Sequence, residues 1–118
     1  MAENELTQRL FNFSVRTIRF LKTLYESPEI KVFRYQLIKS STSSGANYEE
    51  AQAGSSKADF TNKVRISLRE MRESNYWLRL IKSTVDQVSD INELEWLTNE
   101  SLELKNILGS IVQKSSKQ

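Results

Sequence analysis

A chain of 118 residues with a net charge of +2, no cysteine and no histidine has the length of one domain and can hold neither a disulfide nor a histidine-based triad or metal site. No run approaches the roughly 18 apolar residues of a membrane span. The start, Ala2-Glu3-Asn4-Glu5, lacks the basic-then-apolar pattern of a secretory signal, so a soluble cytoplasmic protein is expected.

Three glycines and one proline favour long uninterrupted elements. The first helix is expected over residues 5–26. Leu6, Leu10, Phe13, Thr17, Phe20 and Leu24 form one seam, and Phe11, Val15, Ile18 and Tyr25 form another beside it. So wide an apolar arc fits a helix with more than one neighbour. Arg9, Arg16 and Arg19 lie among these residues and read as solvated positions. Ser27-Pro28-Glu29 combines an N-cap, a first-turn proline and a first-turn acid, so a second helix is expected over 28–52. Its middle, Ser40-Ser41-Thr42-Ser43-Ser44-Gly45-Ala46, has poor helical propensity. Periodic residues flank it on both sides, and small side chains let neighbouring backbones approach, so it reads as helix.

Ser56-x-x-Asp59 resembles a capping box opening a third helix over 56–82, and Asp90-x-x-Glu93 opens a fourth over 90–114. In the fourth, Leu94, Leu97, Ser101, Leu104, Leu108 and Ile111 share a seam. With no strand pattern and short connections, residues 1–118 read as a single all-α domain, an antiparallel up-down four-helix bundle.

The third helix has three faces. Phe60, Val64, Ser67, Met71, Ser74, Leu78, Ile81 and Val85 alternate four and three apart, the spacing of a core stripe. Ile66, Trp77 and Leu80 form a second apolar set about 100° away, which suggests a further packing surface, within the bundle or between chains. Arg65, Arg69, Arg72, Tyr76 and Arg79 line a third edge. Residues 57–82 carry seven basic and three acidic side chains, a net of +4, whereas 86–108 carry one basic and six acidic, a net of −5. One reading is mutual neutralisation of neighbouring helices, with Arg69 and Glu73 also paired four apart. The other is a basic surface that contacts phosphate.

Catalysis is not expected. A nucleophilic serine needs a base, Glu49 and Glu50 diverge on a helix, and the Glu-x-x-His motifs of di-iron bundles are absent. No cofactor or metal is indicated. Asn47 and Glu50, three apart on one helical face, read as structural polar residues bonding to neighbouring helices or chains.

Gly45-Ala46-Asn47-Tyr48-Glu49-Glu50-Ala51-Gln52, Ser56-Lys57-Ala58-Asp59-Phe60, Ile66-Ser67-Leu68-Arg69-Glu70 and Tyr76-Trp77-Leu78-Arg79-Leu80 occur in an order similar to that of a family of small bacterial four-helix-bundle proteins. These are related to the intervening-sequence proteins encoded within large-subunit ribosomal RNA genes, some of them called ribosomal proteins. The resemblance spans roughly residues 5–114. It implies a homopentameric ring, like that of the more distant accessory variability proteins of retroelements, which associate with a reverse transcriptase and nucleic acid. The expected function is therefore non-enzymatic RNA or DNA binding without sequence preference. The expected contacts are Arg65, Arg69, Arg72, Tyr76 and Arg79, with Ile66, Trp77 and Leu80 in the oligomer interface. The alternative is a protein-interaction scaffold with no nucleic-acid role.

Overall fold

A computed structural model of the protein describes residues 3–54 and 56–117. Four helices follow in order, α1 (Glu3–Leu21), α2 (Pro28–Gln52), α3 (Lys57–Thr84) and α4 (Ile91–Ser116), with no strand among the described residues. Three of the starts have a visible chemical cause. Ser27 Oγ accepts from the Ile30 amide, Ser56 Oγ from that of Asp59, and Asp90 Oδ1 from that of Glu93, each at 3.1 Å. Each cap satisfies an amide that the first helical turn leaves without a partner.

The first helix is shorter than its apolar seam suggests. α1 stops at Leu21, and the chain closes with a tighter turn in which the Thr23 amide donates to Phe20 O at 2.9 Å. Two side chains add to the bonds on the carbonyls of this turn: Thr23 Oγ1 donates to Phe20 O at 2.6 Å, and Arg34 Nη2 to Leu21 O at 3.3 Å. Arg34 also holds Glu26 at 2.5 Å, which ties this corner to α2. Leu24 is nevertheless buried, so the seam continues in space after the helix has ended.

Helix neighbours run α1–α2, α2–α3, α3–α4 and α4–α1, with no diagonal packing among the described residues. Ser40 meets Ser74 while Ser44 meets Ser67, and Arg9 meets Glu100 while Arg16 meets Glu93. In both pairs of helices numbers rise on one side as they fall on the other, which defines an antiparallel bundle. The 28 residues of α3 span about 42 Å at ~1.5 Å each, most of the 47 Å long dimension.

The core stripes close on one another. Phe13, Leu37, Val64, Met71, Leu78, Ile81, Leu94, Leu97, Leu104 and Leu108 are fully buried. Between α2 and α3 the interior turns polar. Ser44 Oγ reaches Ser67 O at 2.8 Å, Ser67 Oγ reaches Ser44 O at 2.7 Å, and Ser40 Oγ lies 2.8 Å from Ser74 Oγ. A side chain as short as serine reaches a backbone carbonyl on another helix only when the two backbones are close. The serine-rich run is thus helical because tertiary contact overrides weak propensity. A Cβ on Gly45 would meet α1 at ordinary contact distance, 3.6 Å from Leu10 Cβ and 3.7 Å from the Leu10 carbonyl carbon and oxygen, so space alone does not require a glycine there.

The second seam of α1 is largely uncovered. Phe11 is 56% exposed and Tyr25 76%, while Val15 and Ile18 are half-buried. Within one chain, α1 therefore uses one of its two apolar faces. Among the described residues, no helix is long and apolar enough to cross a membrane.

Candidate nucleic-acid interface

The α3 core stripe is anchored on both sides, by serines toward α2 and by Asn75 toward α4, where Asn75 Nδ2 donates to Ser101 Oγ at 2.9 Å. That anchoring sets the rotation of α3, and the helical period then places Arg65, Arg69, Arg72, Tyr76 and Arg79 together on an exposed edge. Arg65 and Arg79 stand fourteen positions apart, so the edge covers about 21 Å of helix axis.

Its charges are weakly compensated. The Arg69 side chain is 70% exposed and its Nε lies 3.8 Å from Glu70 Oε2, a long pair of little energetic weight in water. The partner is thus Glu70, not the Glu73 expected from a spacing of four. Arg79 is more constrained: its Nε donates to Asn75 Oδ1 at 2.9 Å, and its guanidinium carbon lies 5.8 Å from the Tyr76 ring centre. Tyr76 meets Trp77 edge-on at 5.3 Å and 78°, and Trp77 meets Phe33 of α2 at 6.1 Å.

Ile66, Trp77 and Leu80 are half-buried, and Trp77 and Leu80 pack against the core of their own chain. The Trp77 indole N–H is enclosed without an acceptor among the described residues, so packing alone holds that ring. Among the described residues of the one chain, the bonds of Asn47 stay within its own helix. Its Nδ2 donates to Ser43 O at 2.9 Å and to Ser43 Oγ at 3.1 Å, inside α2, while Glu50 is exposed beside a groove that also holds Phe11.

The acidic fourth helix is neutralised mainly from the other side. Arg9 and Arg16, expected as solvated, make forked pairs with α4. Arg9 donates to Glu100 at 2.7 and 3.0 Å, and Arg16 to Glu93 at 2.6 and 2.8 Å. The Arg16 guanidinium also lies 3.4 Å over the Trp96 ring. These long side chains bridge two helices that approach less closely than α2 and α3. Among the described residues the ion pair between α3 and α4 is Lys82–Glu95, near the end of the bundle, so the mutual neutralisation of those helices is confined there. Arg9 and Arg16 are seven apart, as are Glu93 and Glu100. That matching interval is the signal for the pairing, and it becomes legible once α1 and α4 are known to be antiparallel neighbours.

The hydrogen bond from Arg16 holds the Glu93 carboxyl below the usual carboxylate range, against the opposing effect of burial and with the help of the Arg16 charge. A carboxylate with a lowered folded pKa stabilises fully above its unfolded value and loses that contribution as pH falls through the folded one. Glu93→Gln is expected to cost about 1 kcal/mol at neutral pH. The gap in thermal midpoint between Glu93→Gln and wild type should then narrow as pH falls below about 4.3. A gap that persists unchanged in acid would remove the carboxylate as its source.

No group of three or more acidic, histidine or cysteine side chains able to hold a metal ion occurs among the described residues. The arrangement offers an exposed row of guanidinium groups flanking an anchored phenol, suited to contacting an anionic strand.

A model of the 23S rRNA-intervening sequence protein family matches residues 2–110. The chain is also similar to a protein of unknown function from the S23 ribosomal protein family of Bacteroides thetaiotaomicron, known from a crystal structure. The two share 34% identity over 91% of this chain and 97% of the other, with a TM-score of 0.79. Among curated proteins none matches. With nearly its whole length matched and its helices superposing on that relative, the chain belongs to the 23S rRNA-intervening sequence protein family.

Proposed function

We propose that this protein is a non-enzymatic, cytoplasmic bundle that assembles as a homo-oligomer, a pentameric ring by family resemblance. In this reading it binds RNA or DNA by charge through the α3 edge. The observation that carries the proposal is the contrast between two sets of arginines. Arg9 and Arg16 are taken up by α4 glutamates, whereas Arg65, Arg69 and Arg72 project from α3 with one long ion pair among them to the described residues. Guanidinium groups left in water are available to phosphate. The family's link to inserted ribosomal RNA sequences favours RNA as the ligand. The half-exposed Ile66, Trp77 and Leu80 supply apolar surface for a subunit contact, and a ring would repeat the basic edge in every subunit.

Filter binding of a labelled RNA across a salt series tests this. Four arginines per chain predict that log affinity falls against log salt with a slope of about −3. No binding at about 50 mM salt would sink the proposal. The second reading, a protein-interaction scaffold, would then stand on Val32 and Tyr35, which lie three apart on the outer side of α2 at 52% and 65% exposure.

A further inference from the structure

Within the basic edge Tyr76 differs from its neighbours: it is the aromatic residue there, and it is held in place. Its ring meets Trp77 edge-on at 5.3 Å, and Trp77 is backed by Phe33 across the α2–α3 boundary at 6.1 Å. On its other flank Arg79 is tethered to Asn75, which is itself bonded to Ser101 of α4. Three helices therefore fix the orientation of a phenol that remains 49% exposed. Arg65, Arg69 and Arg72 carry charge along the same edge without such anchoring.

We infer that Tyr76, braced by Trp77 and Arg79, stacks against an unpaired base, so that the α3 edge selects single-stranded over double-stranded nucleic acid. The inference rests on the charge-based reading above and adds a ligand class to it. Duplex bases are stacked on one another and present phosphates outward, so a duplex can use the arginines and has nothing to offer the ring. A single strand can use both. Stacking on an aromatic ring tolerates any base, which agrees with binding that lacks sequence preference. Because the ring is already oriented, little rotamer freedom is lost when a base arrives.

The test compares fluorescence anisotropy of labelled single-stranded and duplex RNA of equal length with wild type, Tyr76→Phe and Tyr76→Ala. Wild type should bind the single strand more tightly. Tyr76→Ala should lose on the order of tenfold on the single strand and less than about twofold on the duplex, with the salt slope unchanged, while Tyr76→Phe keeps the preference. A second measurement uses Trp96→Phe, which leaves Trp77 as the one tryptophan of the original two. Its emission should shift when the single strand binds and stay unchanged with the duplex. Equal affinity for both forms, or equal loss on both in Tyr76→Ala, overturns the inference and leaves charge-based binding standing. No binding of either form overturns both.

Discussion

Replacing Arg69 and Arg72 together by glutamate is expected to reduce RNA affinity by about a hundredfold or more while leaving helicity, melting temperature and oligomeric mass unchanged. Both side chains are exposed on α3, and their ion pair among the described residues is the long one from Arg69 to Glu70, so little folding energy depends on them. Each phosphate contact on a single strand contributes about 0.7 to the salt slope. Losing two contacts removes about 1.4 decades of affinity near 0.1 M salt relative to 1 M, and the slope should fall from about −3 toward about −1.5. The introduced carboxylates add repulsion to that loss. Equilibrium binding and analytical ultracentrifugation on the same samples decide the outcome. Unchanged affinity would remove the α3 edge from nucleic-acid binding. A fall to monomer mass would place these arginines in the subunit contact instead.

Ser67→Leu is expected to cost about 3 kcal/mol or more, measured by urea or thermal unfolding. Ser67 is fully buried, its Oγ donates to Ser44 O at 2.7 Å, and its own carbonyl accepts from Ser44 Oγ at 2.8 Å. Leucine removes the donor and inserts methyl groups where another backbone already lies. Overpacking costs typically ~1–3 kcal/mol, and each buried polar group left without a partner about 1–3 more. Ser67→Ala keeps the space and loses the hydroxyl, so about 1 kcal/mol is expected. Ser44→Ala combined with Ser67→Ala should cost about the sum of the two single changes, because each hydroxyl donates to the other residue's backbone carbonyl, which alanine keeps. A leucine variant within about 1 kcal/mol of wild type would show that the serines do not set the distance between α2 and α3.

The same serines mark where sequence reasoning worked through physics stronger than propensity. Ser40, Ser44, Ser67 and Ser74 sit at core positions of two helical stripes, and that placement alone indicated small residues between close backbones. The caps at Ser27, Ser56 and Asp90 were legible for a related reason, since each bond spans three residues. The end of α1 was not, because the groups that terminate it include Arg34, which lies thirteen residues beyond Leu21. The arginines of α1 misled in the same way. Arg9 and Arg16 look solvated along their own helix, yet their glutamates are ninety-one and seventy-seven residues away.

What the sequence determined by itself was the helical content, most of the boundaries, the buried stripes and the grouping of Arg65, Arg69, Arg72, Tyr76 and Arg79 on one edge. Those are local properties, set by a period of 3.6 residues and by hydrogen bonds within a turn. Only the tertiary structure decided which charges meet. It gave Glu93, Glu100 and Glu103 of α4 to α1, left the α3 arginines exposed, and braced Tyr76 through Trp77 onto Phe33. Ion pairing and aromatic contact depend on the rotation and separation of packed helices, and those follow from how the cores of all four helices fit together.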